Sequence, residues 1–198
     1  MKIGIDVMGG DYAPESNIIG AINSLKNLDN KDKIFLIGKE KEFLPFLKDF
    51  KNNENFEIIN ADEVIEMAES PIKAFNQKTN SSITIGFNLL KENKIDSFAS
   101  AGNTGAMLVG SIYAIKSISG ILRPCTTSIL PREDGTKGLI LDVGTNPDCK
   151  PDNLYQFGLI GSIYAKEILK IKNPKVGLIN IGEEDEKGNI LYQSAFNL

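Results

Sequence analysis

Lys2-Ile3-Gly4-Ile5-Asp6-Val7, running straight into Met8-Gly9-Gly10-Asp11-Tyr12-Ala13-Pro14-Glu15, is the stretch that decides the fold. Its first six residues are a short apolar run of strand type, and the next are glycine-centred turn chemistry. Pro14 then precedes a segment in which Ile18, Ile19, Ala21, Ile22 and Leu25 recur at helical period, where a proline near the helix start costs no hydrogen bond. Strand, glycine turn and helix together are half of a βαβ unit, and repeated units of that kind build a parallel sheet.

The same alternation continues outward along the chain. Strands are expected at Lys2–Val7, Lys33–Ile37, Phe56–Asn60, Ser97–Ser100, Thr126–Leu130, Leu139–Val143 and Lys175–Asn180, with helices in the gaps. Pro71 and Pro151 mark two further helix starts, and helices are also expected over Ser82–Asn93, from Asn103 or Thr104, and over Asp152–Leu169. The polar stretch Lys48–Glu57 reads as a loop. No repeat, low-complexity tract or proline-rich linker divides residues 1–198, so a single α/β domain is the expectation.

A chain of 198 residues with 41% hydrophobic content has enough apolar surface for a sizeable core. Charged residues make up 24% in mixed sign with a net charge of −4, which lacks the basic footprint of a nucleic-acid binder. The longest apolar stretches, such as 106–115, are interrupted by Gly110 and Ser111 and fall short of the roughly 20 residues of a membrane-spanning helix. Asp6 stands where a secretory signal is apolar, so a cytoplasmic location with Cys125 and Cys149 as reduced thiols is expected. There is no histidine; that excludes histidine-based triads and bases within these residues, and two cysteines alone make no zinc ligand set. Carboxylates, lysines and backbone amides remain for the chemistry.

Glycine turns follow three expected strands: Asp6-Val7-Met8-Gly9-Gly10-Asp11, Ser100-Ala101-Gly102-Asn103-Thr104-Gly105 and Asp142-Val143-Gly144-Thr145-Asn146. In an open parallel sheet such turns lie at the carboxyl edge, where ligands bind, and they are expected to converge there. Glycine admits an anion close to the backbone and helix amino-termini offer unpaired N–H groups, so phosphate suits that edge. A glycine after one strand is ordinary turn chemistry; three together point to a site. Asp6, Asp11 and Asp142 are expected to orient loops rather than act as bases, because a carboxylate beside phosphate repels it. Glu183-Glu184-Asp185-Glu186-Lys187 reads as a solvated loop.

Neither Gly-x-Gly-x-x-Gly nor Gly-x-x-x-x-Gly-Lys-Ser/Thr occurs. The Asp6 and Asp142 turns do look like the two phosphate loops of sugar kinases with the actin-like fold. In those kinases the first loop turns a β-hairpin, whereas the residues after Pro14 favour a helix.

Ile5-Asp6-Val7-Met8-Gly9-Gly10-Asp11-Tyr12-Ala13-Pro14 resembles the opening signature of the PlsX family of phosphate acyltransferases. The resemblance continues through Ala61-Asp62-Glu63-Val64-Ile65, Glu69-Ser70-Pro71, Lys78 with Ser81-Ser82, residues 100–106, Arg123-Pro124, residues 141–146 and residues 176–189. Tyr12 and Thr145 depart from it, standing where histidine and alanine are usual, and the family continues beyond the position of Leu198, so a truncated member is expected. The resemblance implies a three-layer α/β/α fold similar to isocitrate and isopropylmalate dehydrogenases, and a homodimer. It also implies attack of inorganic phosphate on the thioester of acyl-carrier protein, with no cofactor or metal, in fatty acid and phospholipid synthesis, and peripheral membrane association through the part that follows. On that basis Gly9, Gly10, Asp11, Lys78, Ser81, Ser82, Gly102, Asn103, Thr104, Gly105 and Asn146 are the expected phosphate-binding residues, with Lys78, Asn103 and Asn146 as catalytic candidates. Two other readings stay open: the sugar kinase, and a fragment that binds carrier protein without turning it over.

Overall fold

A computed structural model describes residues 1–184 and 186–198, in two compact units, Met1–Lys116 and Ser117–Leu198. Of the acidic stretch 183–187, Asp185 lies outside the described residues; its four neighbours are exposed, as a solvated loop requires.

The first unit carries β1 (Lys2–Asp6), α1 (Glu15–Ser24), β2 (Lys33–Gly38), α2 (Glu40–Leu47), β3 (Phe56–Asn60), α3 (Pro71–Gln77), α4 (Ser82–Lys91), β4 (Ser97–Ala99) and α5 (Thr104–Ala114). Its sheet is fully parallel in the order β3-β2-β1-β4, with Ile3 opposite both Ile34 and Ser97. The run Ile34-Phe35-Leu36-Ile37 shows why the sheet is sandwiched. Alternate side chains of a strand point to opposite faces. Ile34 and Leu36 enter a core with Val7, with Ile18 and Ala21 of α1, and with Phe43 and Leu47 of α2. Phe35 and Ile37 enter another with Ala61 and Ile95, against which Ile85 and Leu89 of α4 pack. All four are buried, so helices cover both faces, as expected for a parallel sheet. This is a three-layer α/β/α arrangement.

The expected hairpin of the kinase reading is absent from this start: β1 leads into α1 and pairs in parallel with β2. Pro71 and Pro151 occupy the first turns of their helices, while Pro14 stands one residue before α1. The helix α2 fills the gap between β2 and β3, as expected, and tolerates Pro45 in its interior, a position where proline normally costs a hydrogen bond.

In the second unit β5 (Thr127–Pro131) and β6 (Lys137–Leu141) pair antiparallel, with Thr127 opposite Leu141, and are followed by α6 (Pro151–Glu167) and α7 (Ile190–Phe196). The link is a tight turn in which Gly135 has φ +76°, too short for the crossover a parallel pair needs. The expected strand at Lys175–Asn180 is not formed. Its β-type residues have no ladder partner among the described residues, and Val176 and Ile179 are exposed; a strand requires a neighbour for its backbone groups. Among the described residues no helix is long and apolar enough to cross a membrane.

Candidate functional site

β1 and β4 are parallel neighbours, so their carboxyl ends deliver Asp6 and Ser100 to the same edge. Asp6 is 2% exposed, and its Oδ2 accepts a hydrogen bond from the Ser100 hydroxyl at 2.6 Å while Oδ1 accepts from the Met8 N–H at 3.0 Å. Ser100 Oγ in turn accepts from the Gly102 N–H at 2.9 Å. From α1, Asn17 Nδ2 donates to the carbonyls of Val7 and Gly9 at 3.0 and 2.8 Å, holding the first turn from its inner side. The two turns are interlocked. A Cβ on Gly9 would lie 2.6 Å from the Gly102 nitrogen, 2.7 Å from Asp6 Oδ2 and 2.9 Å from Ser100 Oγ. Gly10 has φ +103°, a conformation that side chains resist. Glycine at these two positions is thus demanded by the packing of one turn on the other and by the backbone path.

The second turn carries a third loop. Asn103 caps α5 by accepting from the Ala106 N–H at 3.0 Å, and its Nδ2 donates to the carbonyls of Glu66, Met67 and Glu69 at 3.0, 3.3 and 3.2 Å. Gly105 packs against the Pro71 ring. Lys78 serves the same loop: its Nζ donates to the Val64 carbonyl and pairs with Glu69 Oε2, both at 2.6 Å. The Lys78 hydrogen bond, followed by that of the Glu66 N–H, holds the Glu69 carboxyl below the ordinary glutamate value. Ser81 caps α4 through the Thr84 N–H at 3.3 Å and exchanges a hydrogen bond with the Thr84 hydroxyl. Ser82 Oγ is buried with no partner among the described residues, which in a native protein asks for an explanation such as a ligand or water.

The structure therefore gathers Gly9, Gly10, Gly102 and Asn103 closely at the edge, with Thr104 and Gly105 opening α5 beside them. Asp11 and Tyr12 are exposed next to Gly10. Among the described residues the N–H groups of Gly10, Asp11, Thr104 and Gly105 have no acceptor. Amides without partners at a sheet edge and a helix amino-terminus are donors for an anion.

A family model described as "Fatty acid synthesis protein" matches residues 1–198. The chain belongs to that family. The phosphate acyltransferase of Dictyoglomus thermophilum is 46% identical over 199 residues, covering 100% of this chain and 59% of that protein. Those of Caldanaerobacter subterraneus and Oceanobacillus iheyensis are 47% and 43% identical, over 99% and 100% of this chain and 58% of each relative. The chain thus spans less than two thirds of the length of these relatives. The EutD phosphotransacetylase from Staphylococcus aureus matches with a TM-score of 0.54 at 18% identity, covering 83% of this chain and 52% of that one. At that identity the likeness concerns the fold alone.

In this member of the fatty acid synthesis family the third glycine turn belongs to the second unit. Asp142 organises it: Oδ1 accepts from the Thr126 N–H at 2.7 Å, and Oδ2 from the N–H groups of Thr145 and Asn146 at 3.1 and 2.6 Å. Asn146 Nδ2 donates to the Pro124 carbonyl at 2.9 Å. Cys125 and Cys149 have their thiols pushed up by burial and then by the Asp142 charge, the reverse of what a nucleophilic cysteine needs. Asp6 and Asp142 hold backbone N–H groups, the loop-orienting task expected of them. Asn17, Glu69 and Ser100 were not singled out as site residues; their partners lie 8 to 94 residues away, beyond what local pattern encodes.

Proposed function

We propose that the chain is the amino-terminal part of a cytoplasmic phosphate acyltransferase that makes acyl phosphate from acyl-[acyl-carrier protein] and inorganic phosphate. The observation that carries this reading is the pair of interlocked turns with unpartnered amides at Gly10, Asp11, Thr104 and Gly105; the names of relatives at 43–47% identity supply the acyl chemistry. A phosphate oxygen attacks the thioester carbonyl, the C–S bond breaks, and the carrier thiolate leaves and takes up a proton. Phosphate is already anionic and the thiolate leaves readily, so no strong base is required. What the protein supplies is position and stabilisation of the developing oxyanion.

Within that reading, the free amides cradle phosphate, Gly9 and Gly102 let the two turns meet, and Asn103 aims the start of α5. Lys78 acts through the loop it pins and brings positive charge near it, and Ser81 caps α4 while Ser82 opens it. Asn146 serves the Asp142 turn, its backbone N–H and its side-chain amide being engaged with Asp142 and the Pro124 carbonyl. Acyl-carrier protein as partner, a homodimer and peripheral membrane contact through the longer relatives' additional length belong to the same proposal. The test is thiol release from acyl-carrier protein by this chain and by the longer gene product, with and without phosphate. Phosphate-dependent release by the longer product is expected. Release independent of phosphate would overturn the reading; carrier binding without turnover by both forms would support the non-catalytic alternative.

A further inference from the structure

Asp6 and Ser100 stand out as the buried polar pair that joins the two turns, across 94 residues of sequence. A carboxylate accepts only, so the 2.6 Å contact obliges the Ser100 hydroxyl to spend its proton on Asp6. The same oxygen is then left as an acceptor, and it takes the Gly102 N–H at 2.9 Å. The other carboxylate oxygen accepts from the Met8 N–H at 3.0 Å. One buried charge thereby sets the direction of three hydrogen bonds and the orientation of the peptide between Ala101 and Gly102. With the Gly102 N–H turned inward, the amides left for a ligand include those of Gly10 and Asp11 on one side and Thr104 and Gly105 on the other. The spacing between these two sets follows from the contact of Gly9 with Gly102, whose Cβ would lie 3.3 Å from the Gly9 Cα.

We infer that Asp6, acting through Ser100, is a positioning residue that holds the two turns at the separation and peptide orientation in which their free amides converge on one phosphate. The inference rests on the phosphate-binding reading above. It makes an unusual prediction of sign. A carboxylate near a phosphate site repels the ligand, so if Asp6 acted by charge alone its neutralisation would tighten binding. As a positioning group its neutralisation weakens binding. The Asp6→Asn amide keeps one acceptor oxygen for two donors, so whichever way it turns, either the Ser100 hydroxyl or the Met8 N–H faces an NH2 group and the relay breaks.

The experiment is amide NMR of the 198-residue chain titrated with inorganic phosphate, with hydrogen exchange of the Gly102 amide followed in the same samples. In the wild type, the signals of Gly10, Asp11, Thr104 and Gly105 shift together and the Gly102 amide is protected relative to that of Gly10. Ser100→Ala and Asp6→Asn each weaken phosphate at least tenfold below their melting temperatures and release the Gly102 amide to fast exchange. Ser100→Thr, which keeps the hydroxyl, restores both. Loss of stability alone would lower the melting temperature without moving the phosphate affinity of the folded fraction. Variants that bind as tightly as the wild type, or an Asp6→Asn that binds more tightly, overturn the positioning role alone. A wild type with a protected Gly102 amide and no phosphate shifts overturns the phosphate reading and the role with it. Unprotected Gly102 in the wild type overturns the relay whatever the variants do.

Discussion

Replacing Asn103 separates two tasks that one side chain performs. As a cap, its Oδ1 satisfies the Ala106 N–H, and loss of such a cap costs about 1 kcal/mol. As a strap, its Nδ2 has two protons to share among the three carbonyls of Glu66, Met67 and Glu69. Each proton's net contribution is about 1 kcal/mol, so Asn103→Ala should lose about 3 kcal/mol in all. At roughly 2–4 °C per kcal/mol for a chain of this length, its melting temperature should fall by roughly 6–12 °C. Asn103→Asp is the sharper variant. It retains the cap acceptor, and a carboxylate favours a helix amino-terminus, but it sets negative oxygens against three carbonyls. A residue that only capped α5 would tolerate aspartate. The strap requires Asn103→Asp to lose about 2 kcal/mol or more at neutral pH. The assay is thermal denaturation followed by far-ultraviolet circular dichroism, with urea midpoints as a check. Asn103→Asp melting within about 2 °C of the wild type would refute the strap.

Gly86→Ala places a methyl inside the Phe98 ring, which is edge-packed on Phe87 at 5.3 Å; the overpacking costs about 1–3 kcal/mol, outweighing a helix-propensity gain of up to about 1 kcal/mol, and should lower the urea midpoint. Glu69 has a folded value below its unfolded one because of Lys78 and then the Glu66 N–H. Its contribution to stability is therefore complete above the ordinary glutamate value of about 4.3 and is lost as pH falls through it toward the lower folded value. Glu69→Gln should flatten that part of the acid-unfolding curve, and identical curves would count against the pair. Cys125 and Cys149, both pushed up by burial and then by Asp142, should alkylate slowly at neutral pH and rapidly only above the ordinary thiol value of about 8.5; mass spectrometry after iodoacetamide would read this out.

The strands of the first unit were legible to within a residue or so, because buried parallel strands are short apolar runs bounded by turn residues, as Ile34-Phe35-Leu36-Ile37 illustrates. Pro71 and Pro151 marked helix starts for a reason equally local. The helix containing Pro45 falls in an expected gap, and its proline is tolerated where tertiary contacts, with Phe43 and Leu47 fully buried, outweigh a local rule.

By itself, then, the sequence determined which segments of the first unit are strands and helices, where glycine turns interrupt them, the absence of histidine chemistry and, through its motifs, the family. Tertiary structure decided what the polar residues do. Lys78 and Asn103 look like substrate contacts in a list of motifs, yet their nitrogens are engaged with the Glu69 carboxylate and with carbonyls of a loop 9 to 37 residues away. Asp6 and Ser100 meet only because β1 and β4 lie side by side. The antiparallel pairing of β5 with β6 and the unformed strand at Lys175–Asn180 have the same cause: apolar period specifies a strand's faces, whereas its existence and direction depend on which backbone stands beside it to complete the ladder.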